Sequence, residues 1–422
     1  MEIRYKPFDK QKEFHLSQAR IRGAFAGKRG GKTEAGAIES IIHAESKRGY
    51  KESPIDPYIG VIISPTSDML RRLSIPKLKA YAGSMITNHH ETHQEFNWHN
   101  GSLIYGISAD KPQRLEGIKA NFIWMDEVFQ MKEHIFLEAM ARVSDTQGYI
   151  WCTGSLGTQY NNPKSHWVFK NFKEKPLAGS ECFEWSTSQN PFYPREELER
   201  LKDTLDPRTF RQMFEIDWSV PGTALVYDEF DDANLVKGYV YNKALPTYVA
   251  IDWGFAHAMA ALFIQYDSMR DKIYVFDEIV KSKLTLDQLY GQIMSRPYAL
   301  NGWICDIAGN QEREQSGISN VEWFKNKGIK FQFRTAAIQP TISLVRSYIR
   351  NTKGISRLFV DEVKCPKLVD NIRNYSYPQK DGIITNENPV KKDDDAVDAL
   401  RYYIMNRHDA TLRPNAVQTI KR

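Results

Sequence analysis

The sequence predicts an α/β protein of two domains, the first built on a mostly parallel sheet covered by helices. Three observations carry that expectation. Short apolar runs alternate with helical spacings from the start to about Trp218. A strongly helical stretch over Glu196–Ile216 is followed by the breaking segment Val220-Pro221-Gly222-Thr223-Ala224. Beyond it three strands come in succession before the alternation resumes. The resulting division is 1–219 for the first domain, 220–230 for a linker, 231–410 for the second domain and 411–422 for a basic tail.

Composition narrows the class. At 422 residues the chain is long enough for two separate cores, and a mean hydropathy of -0.52 with 26% charged residues excludes fibrous and disulfide-scaffold classes. No apolar run approaches the roughly 18 residues that span a bilayer, so no membrane role is expected. Cys152, Cys182, Cys305 and Cys365 lie far apart in the chain and read as reduced core thiols. The net charge of +5 is too small to indicate a partner, and part of it sits in Arg407, Arg413, Lys421 and Arg422 near the end.

In the first domain the strands are expected at Ile21–Ala26, Tyr58–Ile63, Leu103–Ile107, Phe122–Met125 and Tyr149–Thr153. After the first of them stands Ala26-Gly27-Lys28-Arg29-Gly30-Gly31-Lys32-Thr33, with the helical apolar spacing Ala35, Ile38, Ile41 and Ile42 behind it. This strand–glycine loop–helix context is what a phosphate-binding loop requires. Gly27, Lys28, Arg29, Gly30 and Gly31 form the loop, Lys32 reaches the β/γ-phosphates and Thr33 holds Mg²⁺. Ala26 departs from the pattern, since it stands where the first glycine belongs. Asp126 and Glu127 close an apolar strand, where Asp126 orders the Mg²⁺ shell and Glu127 activates the attacking water. Thr153-Gly154-Ser155 ends the next strand with groups suited to sensing a γ-phosphate, or to a plain turn. A kinase would use the same cradle; the adjacent Glu127 favours hydrolysis of ATP.

In the second domain Tyr248–Asp252, Met259–Gln265 and Lys272–Glu278 read as an antiparallel meander. A helical spacing follows over Leu284–Met294, then strands at Trp303–Asp306 and Lys330–Phe333 and a closing helix over Asp394–Met405. Asp252 lies in an apolar strand where a lone charge is costly to bury, and Asp306 ends another. Asp394, Asp395 and Asp398 open the closing helix, with Asp395 and Asp398 on one face. One of the acids in that run also suits a helix cap. Acids from two strands and one helix that meet at a sheet edge would hold Mg²⁺ or Mn²⁺, and two such ions clamp a phosphodiester for cutting. Asp277 and Glu278 are a reserve pair, and His257 reads as a plain polar residue.

In this order, a phosphate-loop ATPase followed by a three-carboxylate, ribonuclease H-like nuclease resembles the large terminase subunit of tailed bacteriophages, over about residues 5–408. The resemblance implies an ATP-driven motor that moves double-stranded DNA into a procapsid and a Mg²⁺- or Mn²⁺-dependent endonuclease that cuts the concatemer. It matches Lys32 and Thr33 to the Walker A motif, Asp126 and Glu127 to Walker B and Thr153-Gly154-Ser155 to the coupling motif. It also matches Asp252, Asp306 and the Asp394–Asp398 cluster to the nuclease acids. Gln11, in Pro7-Phe8-Asp9-Lys10-Gln11, falls where the family contacts adenine, and Arg142 where it carries an arginine that acts on a neighbouring subunit; the residues themselves equally allow a helix-surface pair of Arg142 with Glu138 or Asp145. Implied partners are the portal protein, the small terminase subunit and further copies of the chain in a ring on the portal, from a monomer in solution. The implied location is the host cytoplasm, with transient docking on the procapsid. Rival readings are a helicase-nuclease, which needs a second motor domain, and a recombinase or resolvase, which needs no motor.

Overall fold

The computed structural model describes residues 4–47, 57–157, 163–219, 224–254, 258–310, 318–380 and 383–408. The chain forms two compact units. One comprises Met1–Leu198 with Phe210–Val220, the other Glu199–Thr209 with Pro221–Arg422. The breaking residues 220–223, His257 and the basic tail 411–422 lie outside the described residues.

The first unit is built on an eight-stranded sheet. Its strands are β1 (Ile21–Ala26), β2 (Ile59–Ser64), β3 (Ile86–His90), β4 (Glu95–Trp98), β5 (Leu103–Ser108), β6 (Phe122–Asp126), β7 (Tyr149–Gly154) and β8 (Ser180–Trp185), in the order β3-β4-β5-β2-β6-β7-β1-β8. From β5 to β8 every pairing is parallel; β3 and β4 add an antiparallel edge. All five strands expected from the sequence are present, each within a residue or so of the expected bounds. They are buried on both faces and so read as unbroken apolar runs. The strands β3, β4 and β8 were not expected: β3 and β8 are the sheet's edges and stay polar, with Thr87, Asn88 and His90 on β3 and Glu181 on β8 not buried, while β4, between β3 and β5, is a short strand in which Glu95 and Asn97 alternate with buried Phe96 and Trp98.

Helix α1 (Asp9–Leu16) and helix α2 (Lys32–Ser46) lie on one face of this sheet with Trp124, Trp151 and Trp185 beneath them. A Cβ at Gly36 would stand 2.4 Å from Trp124, so glycine is what lets α2 approach the indole. That approach sets the start of α2 above the ends of β1, β6 and β7. Parallel sheets offer their ligand sites at these carboxyl ends.

The expected single helix over Glu196–Ile216 is instead three pieces: Arg195–Thr204, Pro207–Phe210 and a π-helical turn at Arg211–Glu215. Pro207 disfavours helical geometry at Asp206, whose carboxylate then accepts the Thr209 amide at 2.9 Å and starts the next turn. Within the second unit the segment Glu199–Thr209 is bound to the helix Ile338–Ile349 and the turn after it. Ser343 donates to Asp206, Asn351 to the Asp203 carbonyl and Thr352 to the Leu205 carbonyl.

The second sheet contains β9 (Leu235–Val236), β10 (Thr247–Asp252), β11 (Ala258–Asp267), β12 (Lys272–Ser282), β13 (Gly302–Cys305), β14 (Phe331–Gln332) and β15 (Leu358–Asp361), ordered β14-β13-β10-β11-β12-β15-β9. β10, β11 and β12 form the expected antiparallel meander, and β13 joins β10 in parallel. The closing helix Asp395–His408 packs across β10, β11 and β13 with Ala396, Val397, Leu400, Tyr403 and Ile404 buried. The four cysteines are all free thiols.

Candidate active sites

In the first unit the glycine loop turns between β1 and α2. Gly31 caps α2 at φ +79, and no side-chain hydrogen bond caps the helix start among the described residues. The amides of a helix's first turn lack intrahelical partners, so this end offers donors and a favourable dipole to an anion. A cavity of about 780 Å³ opens here, lined among others by Lys28, Arg29, Lys32, Thr33, Glu127 and Ser155.

Lys32 Nζ lies 2.9 Å from Glu127 Oε1, with both side chains largely buried. Glu127 has φ +59, a left-handed backbone that a residue with a side chain adopts at a cost; such strain concentrates at functional positions. Asp126 is fully buried. Its Oδ1 accepts Thr153 at 2.7 Å and Thr33 at 3.4 Å, and its Oδ2 accepts Ser74 at 2.8 Å. Burial, then the charge of Glu127, pushes the Asp126 carboxyl up to about 6, against the opposing pull of Lys32, Thr153 and Ser74. Burial lowers the Lys28 ammonium, opposed by Glu127 and helped by Lys32. Thr153 is thus a grip on Asp126, while Ser155 donates to the Ala26 carbonyl at 2.7 Å and faces the cavity.

The structure places Gln11 beside the loop, 2% exposed. Its amide donates to the Gly31 carbonyl at 2.9 Å and accepts the Phe8 amide at 3.3 Å. Arg142 stands in the last turn of the helix Glu133–Arg142 and pairs with Glu138 at 3.1 Å. Its carbonyl accepts from Ala120, which precedes β6, whereas Asp126 ends that strand. Residues that sequence reasoning missed are Ser74 and the side chains of Trp185, Thr187 and Asn190 on the outer side of the loop. Ser74 sits in a π-helical turn, Leu70–Ser74, a local irregularity frequent at functional sites, but a lone serine in sequence carries no such signal.

In the second unit Ile251 pairs with Cys305 across parallel β10 and β13, so Asp252 and Asp306 leave the two strands side by side. Asp306 Oδ1 accepts the Gly309 amide at 3.2 Å. The Asp394 carbonyl accepts the Asp398 amide at 2.8 Å, which opens the closing helix with Asp395 in its first turn. Burial pushes the Asp252 carboxyl well above the carboxylate range, reinforced by the charges of Asp398, Asp306, Asp395 and Asp394 in that order. The structure therefore brings all five acids into one electrostatic neighbourhood. Asp398 is held by Arg401 at 2.9 Å, and Arg401 also donates to Thr341. Among the described residues no group of three or more His, Cys, Asp or Glu side chains is already set as a metal cage. Like charges repel, and Asp398 turns to its arginine.

The reserve pair has structural employment. Asp277 binds Arg296 at 2.8 Å and Tyr298 at 3.0 Å, and Glu278 accepts the Lys367 and Leu368 amides that start the helix Pro366–Asn374.

Comparison with known proteins places both halves together. Residues 24–218 match the family model for the terminase large subunit, T4likevirus-type, N-terminal, and residues 249–407 match the terminase RNaseH-like domain. The large terminase subunit of Bacillus phage SPP1 is 22% identical over 327 residues, covering 72% of each chain. That of Escherichia phage T5 is 23% identical over 337 residues, covering 74% of this chain and 71% of its own. The structure of the large terminase from a thermophilic bacteriophage has the same fold, with TM-score 0.58, 18% identity and coverage of 94% of this chain and 98% of that one. With one terminase domain matched on each side of the sequence break and whole-length likeness in fold, the chain belongs to the large terminase subunits of bacteriophages.

Proposed function

We propose that the first unit hydrolyses ATP to drive double-stranded DNA through a portal, and that the second unit cuts concatemeric DNA with divalent metal. The family assignment supports DNA packaging and concatemer cutting. The observation that carries the residue-level reading is the corner in which Lys32 meets Glu127 at 2.9 Å beside a buried, three-times hydrogen-bonded Asp126. There Lys32 binds the β/γ-phosphates, Glu127 takes the proton of the attacking water, and Thr33 with Asp126 would hold Mg²⁺. That ion supplies charge neutralisation of the phosphates. A nucleotide cofactor has support from the large terminase of the thermophilic bacteriophage, whose structure is known in complex with ATP-gamma-S and with ADP. Lys28 and Arg29 face the phosphates from the loop, and Gln11 supports the loop at its adenine side.

At the second site the donor set consists of hard carboxylate oxygens around an Asp252 whose own ionisation is opposed by four neighbours, a surrounding that suits Mg²⁺ or Mn²⁺. Asp252, Asp306 and Asp398 are the first-choice ligands, with Asp395 and Asp394 after them. A metal held there would supply Lewis acidity to the phosphodiester. Arg401 holds and orients Asp398.

Arg142 is proposed to complete hydrolysis in a neighbouring subunit of a ring on the portal, a role for which it must leave Glu138. The small terminase subunit is the expected further partner and the host cytoplasm the expected location. Among the described residues no helix is long and apolar enough to cross a membrane. In place of the expected division at 1–219, 220–230 and 231–410, the motor is taken as the first unit and the nuclease as the second, which includes Glu199–Thr209 and, in its core, Val226, Tyr227 and Phe230.

The test is separability. Lys32→Ala is expected to abolish ATP turnover and leave metal-dependent plasmid cutting; Asp252→Asn and Asp306→Asn are expected to do the reverse. ATPase loss in Asp252→Asn, or cutting by both carboxylate variants, contradicts the assignment.

A further inference from the structure

A phosphate loop binds anions through its amides, so its carbonyls must point elsewhere. Here four consecutive carbonyls are each held by a side chain from outside the loop. Thr187 Oγ1 donates to Lys28 at 2.7 Å, Asn190 Nδ2 to Arg29 at 2.7 Å, Trp185 Nε1 to Gly30 at 2.7 Å and Gln11 Nε2 to Gly31 at 2.9 Å. None of these donors is a surface group: Thr187 is 0% exposed, Trp185 and Gln11 2% and Asn190 9%. Three of them come from one short stretch, the end of β8, the turn Thr187–Gln189 and Asn190 that follows it.

We infer that Trp185, Thr187 and Asn190 are positioning residues of the nucleotide site, which hold the carbonyls of Lys28–Gly31 turned away from the phosphates and so leave the remaining loop amides to face them, those of Lys28 and Gly30 being closed on the Met213 and Gly27 carbonyls. The inference rests on the nucleotide reading of the loop given above. A flipped peptide there would set a carbonyl dipole against a phosphate oxygen, like against like, in a site of low dielectric. The loop needs such restraint, because Arg29 at φ +64 and Gly31 at φ +79 both occupy the left-handed region. The clasp also touches the loop closely. A Cβ at Gly27 would come within 2.3 Å of Thr187 Oγ1, which accounts for glycine at that position. Trp185, Thr187 and Asn190 are not among the residues that line the cavity. Their effect therefore falls on nucleotide affinity and not on the chemical step.

Thr187→Val and Asn190→Asp keep shape and remove the donor. In the full chain, titration with a fluorescent ADP analogue is expected to show affinity about 10-fold weaker for each, as loss of one buried hydrogen bond to the loop implies. The KM for ATP is expected to rise in parallel, with kcat at saturation within about threefold of the parent, and Thr187→Ser is expected to restore both affinity and KM. Parent-like affinity in both variants, an equal defect in Thr187→Ser, or a fall in kcat with affinity unchanged overturns the inference. If the parent chain itself binds no nucleotide, the site reading fails and this inference with it. Should circular dichroism show either variant unfolded, Trp185→Phe, which keeps an aromatic ring and loses the pyrrole portion with its Nε1 donor, is expected to give an affinity loss at least as large; parent-like binding by it refutes the clasp.

Discussion

Glu127→Gln tests the motor corner most directly, because the ion pair with Lys32 gives it two opposed consequences. Lys32 and Glu127 stand 2.9 Å apart with side chains 10% and 16% exposed, so each is the other's main charge partner before nucleotide arrives. Lys32 must exchange that carboxylate for phosphate oxygens when ATP binds. A charge-assisted hydrogen bond at this burial is worth about 1–2 kcal/mol net, and its removal from the free state is expected to tighten ATP binding about 5–30-fold. The substitution also removes the like charge that helps push Asp126 up to about 6, so Asp126 is more readily ionised for metal at neutral pH. Hydrolysis moves the other way. Loss of the general base costs about 10²–10⁴ in rate, since glutamine keeps the shape and accepts no proton. The assay pairs equilibrium titration of ATP with single-turnover phosphate release. Tighter binding with arrested release is the expected result. Unchanged or weaker binding refutes the exchange of partners by Lys32, and a release rate within a factor of about three of the parent removes Glu127 as the base.

Three further outcomes follow from the same geometry. Burial and four neighbouring aspartates raise the Asp252 carboxyl well above the carboxylate range, so Mn²⁺ is expected to displace a proton there and to bind more tightly as pH rises; calorimetry in two buffers reads the proton, and Asp252→Asn should release fewer. Glu229 is raised to about 7, first by burial and then by Asp228 and Asp206 against the pull of Arg346, so its neutral form is the one the fold favours. The stability it contributes is complete below about pH 4.5 and lost as pH rises through about 7, on the order of 2–3 kcal/mol. Denaturant unfolding is accordingly expected to show Glu229→Gln more stable than the parent at pH 8 and equal to it at pH 4.5; a parallel pH profile of the two chains contradicts this. Arg142→Ala should leave stability within about 0.5 kcal/mol, as its pair with Glu138 is a partly exposed i,i+4 contact. If Arg142 serves a neighbour, the variant should hydrolyse little on assembled portals and regain turnover when mixed with Lys32→Ala subunits, and a mixture without rescue returns it to the helix surface.

The sequence by itself determined the elements whose signal is local. Strands buried on both faces are continuous apolar runs, so β1, β2, β5, β6 and β7 were legible with their order, and the meander β10–β12 with its short turns was too. The glycine loop, the Asp126-Glu127 pair and the acids at strand ends were legible because each breaks an apolar run with a group that is costly to bury idle. The edge strands β3 and β8 and the short β4 beside β3 were not, since half-exposed strands carry polar residues that resemble loop, and Pro207 hid a helix break inside a helical composition. Only the tertiary structure decided the partners. It showed Ser74 and Thr153 gripping Asp126, Arg401 holding Asp398, the reserve acids Asp277 and Glu278 spent on Arg296 and a helix start, and a distant turn, Trp185–Asn190, clasping the phosphate loop. Each of these joins residues dozens to more than a hundred positions apart or chooses among equivalent local pairs. Such choices depend on burial and hydrogen-bond satisfaction in three dimensions, which no spacing along the chain encodes.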